Sequence, residues 1–501
     1  MKLPHFLTSK TSKEAALTIV LFIAAAALCA LGLYEPYRFL VFVFPIPLYF
    51  LLRRLSVWSA ACFGFSFGVY VSIPTYLWLT RFERFDPFVM AMVVYGLVFL
   101  VLFALTNWLI NRYPQNLFIQ IFACGWIFYL IEFILHWTFF VKAFVKISNA
   151  PTMYDWVYPY FGTGIVEGII LATGFFLAVG LSLYLTDQPL QKLKYFALFF
   201  LIVGVVIPLI KSSVVLNTKH PKVQIEAIQY NANFSWEERV ARVDEIFQYY
   251  LNQTSDAAHR GIKIVVWPEY AVPIDIVNKN HKYVVALEES SKKLDVVIVL
   301  GSIQDSTAEE SKNGAYIGYD LSLVVDPIKG LLEPYRAVHP YSSNILPGPK
   351  PMIFQTKYGN FPVLSCFEIS NHKFVADYFA RGVPIDFIIG IANNQVFDGT
   401  YGYTRLKNHA RTIAAENNRY LLYVTNTGPT TIFNSSGEEV DRVPYSTQGI
   451  VSYNVEKNED RSVYSIFQEW LPLLLTSGVF WYVLKIEKSK NSKKPFSRKK
   501  K

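Results

Sequence analysis

Charge is scarce in this chain: Asp, Glu, Lys and Arg make up 17% of its 501 residues, against 52% hydrophobic residues. That is more apolar area than a water-soluble fold of this length normally carries, so a membrane is its simpler home. Cysteine is scarcer still, at four residues: Cys29, Cys62, Cys124 and Cys366. No pair of them has metal-ligand spacing, and a disulfide framework would need partners in one compartment. No Gly-rich phosphate loop follows a strand-like run, and no repeat period is evident. Neither a metal nor an organic cofactor is expected.

What the chain has is long uncharged runs. A helix needs about 20 apolar residues to cross a bilayer, and runs near 15–34, 57–80, 87–110, 117–141, 160–185, 195–210 and 469–485 qualify. A shorter run at 38–52, with Pro45 and Pro47, reads as a broken or tilted span. The first run is too long for a cleaved signal peptide. The expected division is a transmembrane domain over 1–214 with about seven helices, a water-exposed α/β domain over 215–462, a last transmembrane helix at 463–486 and a basic cytoplasmic tail at 487–501. If every span is counted, Lys10, Lys13, Arg53, Arg54, Arg112, Lys192, Lys194 and the tail share one side, which the positive-inside rule makes the cytoplasm. The α/β domain then lies on the extracytoplasmic side, held between two spans. Glu132 and His136 share one face of the fifth span, where ionisable groups are costly enough to need a partner or a function. Glu167 reads as interfacial. The aromatics of 152–162 read either as a lipid entrance or as plain interfacial anchors.

From residue 223 the pattern turns to short apolar runs alternating with helical stretches: VQIEAIQYN, KIVVWPEY, VVIVLGSI, LSLVVDP, FPVLSCFEI, FIIGIANN, YLLYVTNTG and GIVSYNV. Runs apolar throughout predict strands buried on both faces, hence an α/β sandwich of layers. Three strand ends carry polar groups that packing does not demand: Glu269 after VVWP, Cys366 with Glu368 in CFE, and Asn393 with Asn394. A carboxylate beside a thiol can take its proton, and the thiolate can attack a carbonyl to form a thioester. His409 reads as a helix-surface residue.

The order WPE, then CFE, then NN resembles the nitrilase, or carbon–nitrogen hydrolase, superfamily, whose domain is an α-β-β-α sandwich. With about seven spans before the domain and one after, the whole chain resembles the membrane-bound apolipoprotein N-acyltransferase family. The matching positions are Gln229, Asn231, Trp236, Glu269, Asn313, Cys366, Glu368, Asn393, Phe397, Arg411, Glu416 and Asn426, with Glu132 where that family keeps an acid in a span. The resemblance implies an enzyme in which Glu269 is the general base and Cys366 takes a fatty acyl group from a phospholipid. The N-terminal amine of a diacylglyceryl-modified lipoprotein then accepts the acyl group. Glu368, Trp236 and Asn393 would support the site; nucleic acid has no part in it.

One departure stands out. The family's catalytic lysine lies in a Tyr-x-Lys segment, and here the stretch reads EPYRAVHPYSSNILPG. Either Ala337 or Tyr335 takes the lysine's place, and the acid of the loop that follows is also gone, with Ser343 or a neighbour instead. Losing an oxyanion donor costs about 10²–10³ in turnover. Arg336, or His339, is a candidate replacement. Two other readings follow: a paralogue that binds lipid or lipoprotein without turnover, and a nitrilase-type hydrolase or transferase acting on another substrate.

Overall fold

The computed structural model describes residues 10–81, 86–135, 152–213, 220–307, 310, 311, 317–342, 344–380, 382–397, 400 and 402–492. Among them seven helical segments are long and apolar enough to cross a membrane: Ser12–Gly32, Pro36–Arg54, Val57–Thr80, Asp86–Arg112, Leu117–Leu135, Asp155–Leu185 and Leu190–Ile210. The proline-containing second segment starts as a 3-10 turn, Glu35–Phe42, before the helix Pro45–Arg54. The helix Trp470–Ser492 has the length but is not one of the seven, because charged residues fill its last turns. It still packs along the fifth span, where Phe480 stacks on Trp126 at 4.1 Å.

Small residues set how closely the spans approach. At Gly125 of the fifth span an added Cβ would fall 2.2 Å from Gly168 O of the sixth, so no side chain fits between the two backbones. Glu132 is buried with its carboxylate against Gly164 of the sixth span, and His136 lies outside the described residues. Glu167 is fully buried within the protein, about two turns inside a helix that begins at Tyr158.

The second half holds two facing sheets. One has β1 (Lys222–Gln229), β2 (Ile264–Val266) and β4 (Val297–Asp305) in parallel, β15 (Gly449–Glu456) antiparallel outside β1, and β5 (Gly318–Asp326) antiparallel outside β4. The short strands β3 (Val272–Asp275), β6 (Gly330–Leu331) and β7 (Tyr335–Arg336) flank β4 and β5. The other sheet runs β10 (Val363–Ser365), β11 (Ile388–Ala392) and β12 (Leu421–Thr425) in parallel, then the hairpin β13 (Thr430–Phe433) and β14 (Glu439–Val443). The remaining pair is β8 (Phe354–Thr356) with β9 (Gly359–Phe361).

Side-chain alternation divides the apolar residues among layers. Ile225, Val266 and Val299 face Val363, Ile389 and Val424 between the sheets. Val265, Ile298 and Leu323 pack instead on the helices Val243–His259 and His281–Leu294. The outer face of the second sheet packs on the helices His372–Phe379 and Gly402–Asn417, and this layer is continuous with the cluster inside the membrane spans. The expected α-β-β-α order is present, with its second helix layer set against the bundle.

Candidate active site

Each chemically able side chain stands where a strand ends. Glu269 follows β2 after Trp267 and Pro268 and is 1% exposed. Its backbone lies so close to β4 that a Cβ on Gly301 would come 2.6 Å from Glu269 Cα. Glu269 Oε2 accepts a hydrogen bond from Asn393 N at 2.6 Å, just past β11. Cys366 follows β10 directly, at φ 44°, in the left-handed region that side chains avoid. The strand-to-turn bend that forces this angle presents the thiol beside Glu269, within hydrogen-bonding reach. Tyr270, beside Glu269, is likewise left-handed at φ 53°.

Glu368 holds the turn after Cys366. Its Oε1 accepts from Tyr335 Oη at 2.7 Å, Val338 N at 2.8 Å and His339 N at 3.1 Å, and its Oε2 accepts from Ser365 N at 2.9 Å. Burial pushes its carboxyl up to about 7, against the lowering pull of these donors. Asn393 bonds through its side chain to Asn426 at 3.3 Å, and Asn426 also ties Ala232 to the site. Asn231 stands at φ 60°, its N–H on Asn426 O. Gln229 braces the hairpin ends at Thr430, Pro444 and Thr447.

A group absent from the sequence reading joins them. Asp320 of β5 is 1% exposed, accepts from Ser365 Oγ at 2.6 Å and shares a hydrogen bond with Glu269. Burial raises it to about 6. Burial first, and then the Asp320 charge, hold Glu269 well above the usual carboxylate range. The Cys366 thiol is likewise held high by burial, then by Glu269 and Asp320. The one signal for Asp320 in the sequence is an acid inside the otherwise apolar run YDLSLVV.

Strand register decides which way Arg336 faces. Leu321 pairs with Arg336 and Ser322 with Tyr335, and cross-strand partners share a face. Arg336 therefore lies on Leu321's face, opposite Asp320; its Nε donates to Gln304 Oε1 at 2.8 Å and its guanidinium covers Tyr319 at 4.8 Å. The expectation that Arg336 replaces the lysine does not fit this register. Tyr335 and Ala337 take the site face: Tyr335 reaches Glu368, and Ala337, 1% exposed, donates its N–H to Asp320 O at 3.0 Å. The His339 ring packs edge-on against Phe374, and burial lowers its pKa. Ser343 and Asn313 lie outside the described residues.

A cavity of about 370 Å³ opens over the thiol, lined by Glu269, Tyr270, Tyr341, Cys366, Phe367 and Phe397 among others. Tyr270 and Tyr341 separate it from a second space of similar volume under Trp236, whose half-exposed ring meets Tyr270 edge-on at 5.4 Å. On the membrane side Phe397 contacts Trp78 of the third span at 4.6 Å. Among the described residues no lysine lines either space, and no His, Cys and carboxylate group is arranged to hold a metal.

Arg411 and Glu416 lie away from the thiol, at the junction with the spans. Arg411 pairs with Asp155 at 2.6 Å. Glu416 accepts from Thr163 N at 2.7 Å, bonds Thr163 Oγ1 as well, and meets His372 Nδ1 at 2.5 Å. His409, read as a helix-surface residue, is 2% exposed and its Nδ1 lies 3.0 Å from His372 Nε2. Its helix is clamped between sheet and bundle, so residues 406–417 have no solvent face.

Residues 224–461 match the carbon-nitrogen hydrolase family. The chain carries a carbon-nitrogen hydrolase domain. That domain, with the spans before it, is similar to apolipoprotein N-acyltransferases. The one from Haemophilus ducreyi is 23% identical over 339 residues, 62% of this chain and 65% of that protein. The one from Synechocystis is 23% identical over 355 residues, 64% and 65% of the two chains. In these two the similarity spans just under two thirds of the relative; in the Methylococcus capsulatus protein, at 22% identity, it spans 93% of the relative and 89% of this chain. Among solved structures, Nit3 of Saccharomyces cerevisiae, a member of branch 10 of the nitrilase superfamily, superposes on 50% of this chain and 94% of its own with TM-score 0.38 and 17% identity.

Proposed function

We propose that this protein transfers a fatty acyl group from a membrane phospholipid, through a thioester on Cys366, to the N-terminal amine of diacylglyceryl lipoproteins. The observation that carries the reading is the strained Cys366 turn, set against Glu269 in a cavity whose Phe397 wall meets a membrane span. Glu269 takes the thiol proton as the sulfur attacks the ester carbonyl; the tetrahedral intermediate collapses, and the departing lysophospholipid oxygen receives that proton. In the second half the acceptor amine attacks the thioester, its proton passes to Glu269, and the sulfur leaves as a thiol. Burial of Cys366 limits hydrolysis of the thioester. The hydrolase domain lies on the extracytoplasmic side in this reading, following the basic residues between spans.

The lack of a lysine, with Ala337 or Tyr335 in its place, favours a second reading, a lipid- or lipoprotein-binding protein without turnover. Intact mass spectrometry of the detergent-purified chain after incubation with phospholipid separates the two. Acyl transfer gives a fatty-acyl adduct that hydroxylamine removes and that Cys366→Ala and Glu269→Gln lack. No adduct, where a lysine-containing relative forms one, sinks the acyltransferase reading and leaves the binding role.

A further inference from the structure

Two carboxyls meet beside the thiol where one would serve as a base. Glu269 and Asp320 are both buried and come from different strands, Glu269 after β2 and Asp320 within β5. One oxygen of each is held by the protein: Asn393 N donates to Glu269 Oε2 at 2.6 Å and Ser365 Oγ to Asp320 Oδ2 at 2.6 Å. The other oxygens, Glu269 Oε1 and Asp320 Oδ1, are buried, meet no backbone N–H, and share the hydrogen bond between the two carboxyls. Glu269 also accepts the Cys366 thiol. Two ionised carboxylates are acceptors only and repel each other, so a direct bond between them needs one proton in it. With that proton the pair carries a single negative charge. The buried guanidinium of Arg239, which donates to Tyr270 O at 2.6 Å and acts electrostatically on Glu269, matches that charge. The other titratable groups around the pair are the phenols of Tyr270, Tyr341 and Tyr423, all kept neutral by burial.

We propose that Asp320 is a positioning residue of the reaction, and that it and Glu269 act as one base, sharing a single proton in the resting site. When Glu269 receives the proton of the Cys366 thiol, the shared proton moves onto Asp320. Both carboxyls are then neutral, and the negative charge is on the sulfur that attacks. As the tetrahedral intermediate collapses, Glu269 gives a proton to the leaving oxygen and again shares the one on Asp320, so the pair ends as it began. The proton thus offsets negative charge in a cavity with no lysine among its described lining residues. These steps rest on the acyl-transfer reading; the sharing of the proton does not.

Infrared difference spectroscopy on the full chain in detergent counts the proton without turnover. At about pH 8, above the ordinary carboxyl range, the wild type is expected to show the carbonyl stretch of a protonated carboxyl that both Asp320→Asn and Glu269→Gln lack. In each variant the new amide donates to the remaining carboxylate and leaves it ionised. A band that persists in either variant belongs to a carboxyl kept protonated by burial alone, and would overturn the sharing. Burial raises Asp320 to about 6, so a second proton should enter the wild-type pair as the pH falls through that value, whereas each variant can gain one proton in all. Thioester formation is expected to fall by about tenfold per unit of pH below the same step, because a doubly protonated pair cannot take the thiol proton. Full rate below the step would show that another group takes it, and the paired base fails. No thioester at any pH, with the infrared pattern as expected, sinks the acyl-transfer reading and leaves the shared proton standing.

Discussion

Glu368 shows how one buried carboxyl can organise the turn at Cys366. Four donors from two chain segments converge on it, so the positions of Tyr335, Val338, His339 and Ser365 relative to Cys366 depend on a single side chain. Burial nevertheless raises its pKa from 4.5 to about 7. A carboxyl with a raised folded-state pKa keeps more protons in the folded than in the unfolded chain between those values, so stability falls as pH rises through that window. The thermal midpoint of the detergent-purified protein is therefore expected to drop between about pH 4.5 and 7, and Glu368→Gln should flatten that part of the profile. An unchanged slope in the variant would assign the fall to other groups, Asp320 first among them. The sequence reading already held Glu368, because CFE stands at a strand end. It missed Asp320 because an acid inside a strand acquires meaning only from the groups it faces.

At the level of elements, the helix Gly402–Asn417 ties the hydrolase domain to the spans. The sixth span is kinked at Gly162, φ 74°, where an added Cβ would meet the Tyr464 ring at 2.3 Å. The kink frees Thr163 N–H from the helix ladder and turns it to Glu416. Glu416→Gln replaces an acceptor oxygen by a donor, and each buried group it leaves unsatisfied costs about 1–3 kcal/mol. A lower unfolding midpoint in detergent, with slower Cys366 thioester formation although no cavity residue has changed, is the expected outcome. A variant with wild-type stability would show that Arg411–Asp155 suffices to hold the junction. Sequence periodicity called for a helical stretch between the runs FIIGIANN and YLLYVTNTG, where this helix stands. It gave no sign that His409 faces inward, since an outer helix of a sandwich ordinarily keeps a wet face and this one is covered by the bundle.

For the whole molecule, the arrangement puts the thiol cavity beside the spans and the opposite helix layer in water. Membrane sidedness is accessible to labelling: in a Cys62→Ser background, Asn252→Cys on the exposed face of Val243–His259 is expected to react with an impermeant maleimide in intact cells. Labelling only after the membrane is opened would place the domain on the cytoplasmic side and reverse the topology. The chain by itself determined the spans, the sandwich of layers and the Glu269, Cys366 and Glu368 set, because apolar runs, strand alternation and short motifs are local properties of consecutive residues. Tertiary structure alone decided that Arg336 turns away from the site while Ala337 turns toward it, that Asp320 meets Glu269, and that Glu416 and His409 are interior. Each of these depends on strand register or on which surface covers a helix, and both are set by contacts between residues far apart in the chain.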